Sequence, residues 1–85
     1  MKFTVYILQS QQDGSFYIGY TTDLDRRLFE HNSGKSNHTS GKMPWEVVYS
    51  EKFETKTAAI KREKFFKNQR NRAFYEKLIR EYKTR

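Results

Sequence analysis

The apolar positions of this chain fall into two kinds of run: short stretches rich in β-branched and aromatic residues, and longer stretches in which apolar residues recur at helical spacing. Residues 3–8 and 15–20 are of the first kind, and Gln11-Gln12-Asp13-Gly14 between them is a turn signal, so the pattern predicts a β-hairpin. If those four residues form the loop, Ser10 pairs with Ser15, Leu8 with Tyr17 and Tyr6 with Gly19. All then share one face, with Tyr6 and Tyr17 as diagonal neighbours roughly 7–8 Å apart. A two-residue Asp13-Gly14 turn keeps the parity but sets the tyrosines about 13 Å apart, and the longer loop is the favoured reading. Gly19, opposite Tyr6, is expected to leave open space beside both rings.

Thr22 or Asp23 then reads as the N-cap of a helix that Gly34 ends, with Asp23 and Asp25 favourably placed in its first turn. Arg27 and His31 are i,i+4 neighbours on it. The polar run 35–42 predicts an exposed loop before Pro44. From Trp45 to Phe53 the pattern alternates again and predicts a third strand with Trp45, Val47, Tyr49 and Phe53 on one face. Thr55 caps a helix over about 56–67, and Asn68 to Asn71 separate it from a last helix carrying Phe74, Leu78, Ile79 and Tyr82. The predicted order is β-β-α-β-α-α, an α+β fold: a small three-stranded, mainly antiparallel sheet with helices packed on it. At 85 residues it is expected to be one domain, residues 1–85, with a thin core.

Composition narrows the chemistry. The chain has no cysteine, which excludes disulfides, thiolate nucleophiles and cysteine-built zinc or iron–sulfur sites. The apolar run 3–8 is far too short for a signal-peptide core or a membrane span, and a mean hydropathy of -1.02 agrees, so a soluble cytoplasmic protein is expected. Charge is uneven. Residues 1–51 hold five Lys/Arg against six acids, whereas residues 52–85 hold twelve against four, and the whole chain carries +7. The basic surface therefore belongs to the C-terminal helices, where it serves either to bind a polyanion or to solvate a helical face.

Individually, the chemistry-bearing residues have ordinary readings. Glu63 follows Ala59 by one turn, so its carboxylate is expected to be partly desolvated and either paired with Arg27, Lys67 or another cation, or bound to a metal. Tyr6 and Tyr17 could be sheet aromatics, and Arg27 with His31 an exposed helix pair. His38, with Lys35 and Lys42, lies in the polar loop, either near phosphate or simply in solvent.

In combination the residues resemble the GIY-YIG nuclease superfamily, particularly its small stand-alone single-domain proteins. Its first triplet corresponds to Thr4-Val5-Tyr6 and its second to Tyr17-Ile18-Gly19, with ten residues between the two tyrosines. The helix following them is similar to Asp23-Leu24-x-Arg26-Arg27-Leu28-x-x-His31-Asn32-x-Gly34, its third strand to Pro44-Trp45-Glu46-Val47-Val48-Tyr49, and its metal-ligand helix to Ala59-x-x-x-Glu63-x-x-x-Lys67. The departure is Thr4 and Val5 in place of Gly and Ile.

The resemblance implies a Mg²⁺-dependent endonuclease hydrolysing phosphodiester bonds, with Tyr6, Tyr17, Arg27, His31 and Glu63 as its catalytic residues. Glu63 would hold a single divalent metal ion, and Mg²⁺ suits a site with one carboxylate because it retains waters and borrows substrate oxygens. Arg27 would grip the scissile phosphate. Tyr6 is the leading candidate to take a proton from water, provided nearby cations lower its pKa from about 10. His31 would receive that proton or orient the hydroxyl, Tyr17 would complete the network, and which tyrosine is the base stays open. Lys61, Arg62, Lys64, Lys67, Arg70 and Arg72, with Lys35 and Lys42, are the candidate contacts to a nucleic-acid backbone. Such contacts carry no sequence preference, so DNA would be chosen by structure, such as a branch, flap or damaged site, or through a protein partner. A non-catalytic nucleic-acid-binding module of the same fold, and a nuclease acting on RNA, are the alternatives.

Overall fold

The computed structural model describes residues 2–34, 39–69 and 71–84. Three strands, β1 (Phe3–Ser10), β2 (Phe16–Thr21) and β3 (Trp45–Phe53), form one sheet in the order β2-β1-β3, with both pairings antiparallel. The helices are α1 (Leu24–Asn32), α2 (Lys56–Lys67) and α3 (Arg72–Lys83), so the predicted α+β order is present. Among the described residues no helix is long and apolar enough to cross a membrane.

The hairpin has the longer loop and its register: Tyr6 faces Gly19 and Leu8 faces Tyr17. The Ser10 N–H donates to Ser15 O and the Gly14 N–H to Ser10 O, both at 2.9 Å, which closes the turn. Gly14 sits at φ +77°, in the left-handed region a side chain disfavours. Asp13 is locked by accepting from the Ser15 N–H and hydroxyl at 2.9 and 2.7 Å.

β1 runs through the middle and divides its side chains between two layers. Val5 and Ile7 face the main apolar core with Val48, Tyr49, Ala59, Phe66, Tyr75 and Ile79, which α2 and α3 cover. Tyr6 and Leu8 face the other way, with Trp45, Tyr17 and the inward stripe of α1. On the first side Phe66 is fully buried, edge-on to Tyr49 at 5.6 Å and beside Phe74 at 6.2 Å. Burying such a ring contributes about 2–3 kcal/mol before entropy is counted. The Tyr75 hydroxyl donates to the carbonyls of Phe66 and Gln69, fixing the corner between α2 and α3.

The third strand departs from the one-face expectation. Ile7 faces Tyr49 but Leu8 faces Val47, so Val48 is an extra residue opposite that step, a β-bulge. The bulge reverses parity: Trp45 and Val47 join Tyr6 and Leu8, while Tyr49 and Phe53 pack with the core on the opposite side. A period-two reading cannot register an inserted residue when both flanking positions are apolar.

Helix α1 opens at Asp23, whose carboxylate accepts from the Arg26 N–H at 3.1 Å, and closes before Gly34 at φ +81°. Leu24, Leu28 and His31 recur at helical spacing on its inner stripe, so the face that packs the partly buried leucines on the sheet carries the histidine fully inside. Helices α2 and α3 start at Thr55 and Asn71, whose side chains accept from the N–H groups of Ala58 and Ala73.

Candidate active site

Four of the sequence-predicted site residues meet on the α1 side of the sheet. The Tyr6 hydroxyl lies 3.2 Å from Nε2 of His31, and the Arg27 guanidinium lies 3.3 Å from the same nitrogen. The Tyr17 ring covers this pair, its centroid 4.7 Å from that of His31 and 6.4 Å from that of Tyr6. His31 is 0% exposed and Tyr6 1%, so the exposed-pair reading of Arg27 and His31 fails: only Arg27 reaches solvent. Tyr17 is half-buried, and its hydroxyl makes no hydrogen bond among the described residues.

The space expected beside Gly19 is taken by Tyr6 itself. A Cβ at Gly19 would stand 2.7 Å from the Tyr6 hydroxyl oxygen and 2.9 Å from Cζ. The glycine is what lets the phenol lie flat across β2 and reach His31. This close approach, rather than a ligand cavity, is its role.

Burial raises the Tyr6 pKa above its ordinary 10.0, and the Arg27 guanidinium opposes that rise without overcoming it. This corrects the expectation of a lowered tyrosine: the same enclosure that aligns the phenol also removes the water that would stabilise its anion. Burial, then the charge of Arg27, lowers the His31 pKa below 6.5, so its imidazole is neutral near pH 7. Arg27 is held in turn by Glu30, which accepts from Nη1 at 2.7 Å and raises the guanidinium pKa, while Arg27 lowers that of Glu30.

Glu63 comes from the other layer. Its side chain is 15% exposed, so the partly desolvated carboxylate expected from sequence is present, and Lys67 pairs with it at 3.6 Å. Its charge reaches the Tyr6 phenol and is one of the influences opposing ionisation there. Among the described residues no group of three or more His, Cys, Asp or Glu gathers as a ready-made metal cage. A hard divalent ion that keeps most of its waters needs only one such carboxylate, and the residues present fit it. A groove of about 480 Å³ follows the edge strand β2, lined by Ser15, Phe16, Tyr17, Ile18, Lys67, Arg72 and Tyr75, so that the ion-pair partner of Glu63 stands on its wall.

The candidate backbone contacts divide into engaged and free groups. Lys67 and Arg72 line the groove, with Arg72 also donating to the Gly14 carbonyl at 3.1 Å and stacking on Phe16 at 4.8 Å. Lys42 pairs with Asp13 at the hairpin tip, 3.4 Å away. Arg62 pairs with Glu51 at 3.0 Å and lies 4.5 Å over the Phe66 ring, so it serves the core side. Lys61 and Lys64 are exposed, with no ion pair among the described residues. Lys35, His38 and Arg70 lie outside the described residues.

Sequence reasoning missed two contributors. Glu30 has a legible signal, an acid three residues after Arg27 on one helix. Thr39 has none, because it lies in a polar run that reads as exposed loop, yet it is 0% exposed and its hydroxyl is 2.9 Å from His31 Nδ1. A short 3₁₀ turn, Ser40–Lys42, follows it.

The GIY-YIG catalytic domain family model matches residues 2–78. The chain belongs to the GIY-YIG family. Its relatives include UPF0213 protein spr1390 of Streptococcus pneumoniae, 43% identical over 70 residues, covering 81% of this chain and 70% of that protein. UPF0213 protein NP_0776A of Natronomonas pharaonis is 42% identical over 76 residues, covering 88% and 87% respectively. The solution NMR structure of the UPF0213 protein BH0048 from Bacillus halodurans is 40% identical, with a TM-score of 0.56 over 89% of this chain and 81% of that one. The tyrosine, arginine and histidine contacts described above all lie within the span that matches the GIY-YIG catalytic domain, a nuclease-type family.

Proposed function

We propose that this chain is a single-domain, Mg²⁺-dependent endonuclease that hydrolyses phosphodiester bonds in DNA and selects its target by structure rather than base sequence, alone or through a protein partner. The observation that carries the reading is the convergence of Tyr6, Arg27 and His31 within 3.3 Å contacts in a buried site. A neutral imidazole beside a phenol, with one permanent cation at the same point, is a poor way to stabilise a core and a good way to move a proton next to an anion.

Hydrolysis requires a water to be deprotonated as it attacks phosphorus while the P–O3′ bond breaks. Tyr6 takes the water proton as its own hydroxyl proton passes to His31 Nε2, 3.2 Å away. The transfer is coupled because burial holds the Tyr6 pKa above 10.0, so no standing phenolate is available. The neutral state of His31 near pH 7 suits it to accept. Arg27 meets the charge that builds on the phosphoryl oxygens, and Glu30 aims its planar fork. Glu63 would hold the metal, and the chemistry a bound Mg²⁺ supplies there is neutralisation of the leaving 3′ oxygen. Lys67 and Arg72 flank the groove by which a phosphate backbone can approach.

The test is incubation of purified protein with single-stranded, duplex, flap and branched DNA and the matching RNAs, with Mg²⁺ or with chelator. Cut DNA that depends on Mg²⁺ and on substrate shape supports the reading. Retardation without any product supports a binding module, and cleavage confined to RNA moves the substrate.

A further inference from the structure

Arg27 fixes a fact about His31 that distances alone leave open. A guanidinium only donates, so an N–H at His31 Nε2 would point a second donor at Arg27 across 3.3 Å. The unshared pair therefore belongs on Nε2 and the ring hydrogen on Nδ1, where the sole neighbour among the described residues is the Thr39 hydroxyl at 2.9 Å. Which nitrogen of a histidine carries hydrogen is decided by what its other nitrogen meets.

Thr39 is itself anchored rather than loosely placed. Its carbonyl accepts from the Trp45 indole N–H at 2.9 Å and from the Lys42 N–H at 3.2 Å. The Trp45 backbone is gripped on both sides by the Asn32 side chain, one residue beyond His31, at 2.6 and 3.0 Å. A closed chain of contacts thus runs from α1 through Asn32, Trp45 and Thr39 back to the imidazole.

We infer that Thr39 is a positioning residue: its hydroxyl accepts the His31 Nδ1–H and so keeps Nε2 free to take the proton of Tyr6. As far as it concerns the reaction, this rests on the nuclease reading above. As far as it concerns the tautomer, it does not.

The experiment reads both, beginning with ¹⁵N NMR of the imidazoles in the ligand-free protein above the His31 titration. His38, the other of the two histidines, is removed by H38Q to assign the signals. The expected result is a hydrogen-bearing Nδ1 and a bare Nε2 in the parent. Thr39→Val keeps the shape but loses the acceptor, and should move His31 toward the Nε2–H form. It should also slow single-turnover cleavage by roughly 10–100-fold, the usual cost of losing an orienting partner of a functional imidazole. KM should move much less, and Thr39→Ser should restore both tautomer and rate. A parent whose Nε2 carries the hydrogen overturns the inference, whether or not the valine variant folds, and so does a folded valine variant with unchanged tautomer. If the parent shows the expected tautomer but cuts nothing, the nuclease reading fails and the Thr39 contact stands.

Discussion

The two faces of the sheet are built from alternate residues of the same strand, yet they obey different rules. Behind β1, Val5 and Ile7 meet Phe66, Tyr49 and Ile79 in an apolar core, and among the described residues no Lys, Arg, Asp or Glu is fully buried there. In front, Tyr6 shares its neighbourhood with a buried imidazole, a buried hydroxyl and a guanidinium. No buried side-chain nitrogen or oxygen among the described residues is left without a hydrogen-bond partner. The polar face is therefore a satisfied network rather than a packing defect, and it depends on the apolar face for its rigidity. The difference teaches where to look for damage: changes in the apolar core behind the sheet should cost stability, whereas changes in front, and at Glu63 on α2, should cost rate.

The largest effect expected from the rear face is Phe66→Ala. Removing a fully buried ring should cost roughly 3–5 kcal/mol, a large share of what a domain this small commands. Urea unfolding would measure it, and the cleavage rate per folded molecule should be nearly unchanged. On the front face Arg27→Ala should reduce single-turnover cleavage by roughly 10²–10³-fold, comparable with losing one oxyanion donor, at nearly constant melting temperature. Arg27→Lys should rescue poorly, because a compact ammonium cannot reproduce the fork that spans Glu30 and His31. Full rescue by lysine would reduce the role of Arg27 to a point charge.

Gly19→Ala blurs the two faces on purpose. The new methyl would collide with the Tyr6 phenol, so it should displace the ring, cost about 1–3 kcal/mol and slow cleavage together. If neither changes, the close approach of phenol to β2 is unimportant.

Much of this architecture is legible in the sequence, and the exceptions share a cause. The hairpin register, the α1 cap and the starts of α2 and α3 follow from local signals: the four-residue run Gln11-Gln12-Asp13-Gly14, Asp23, Thr55 and Asn71 each act within a few residues. The bulge at Val48 and the filled space over Gly19 are set by contacts distant in sequence, and Thr39 is seated by Trp45 and His31, whose side chains the polar run around it does not announce. For the site, the hairpin register alone brings Tyr6 and Tyr17 together, the meeting with Arg27 and His31 is implied only by the family resemblance, and the direction of the Tyr6 pKa follows from neither. It depends on enclosure, which only the packed structure reveals.

A pH dependence sharpens the front face further. The folded pKa of His31 lies below its ordinary 6.5, so the unfolded chain binds the proton first as acid is added. The parent should lose stability as pH falls from about 6.5 through the folded His31 pKa, and cleavage should fade in the same window as the proton acceptor is consumed. A cleavage profile with no acid limb below 6.5 would argue against His31 as acceptor.

The smallest effect concerns neither face directly. Among the described residues Lys61 and Lys64 have no ion pair whereas Arg62 does, so neutralising the two lysines should flatten the salt dependence of DNA affinity by about 2 units if each meets a phosphate. Neutralising Arg62 should lower the melting temperature instead.

The central claim, that the front face together with Glu63 of α2 forms a metal-dependent phosphodiesterase site, is tested most directly by single-turnover cleavage of branched DNA by the parent and by Glu63→Gln, with Mg²⁺ and with chelator. The account predicts Mg²⁺-dependent cutting by the parent and none by the variant, whose melting temperature and DNA affinity stay close to the parent's. A variant that cuts as fast as the parent, or that loses stability while keeping its rate, would contradict it and leave Glu63 as nothing more than the ion-pair partner of Lys67.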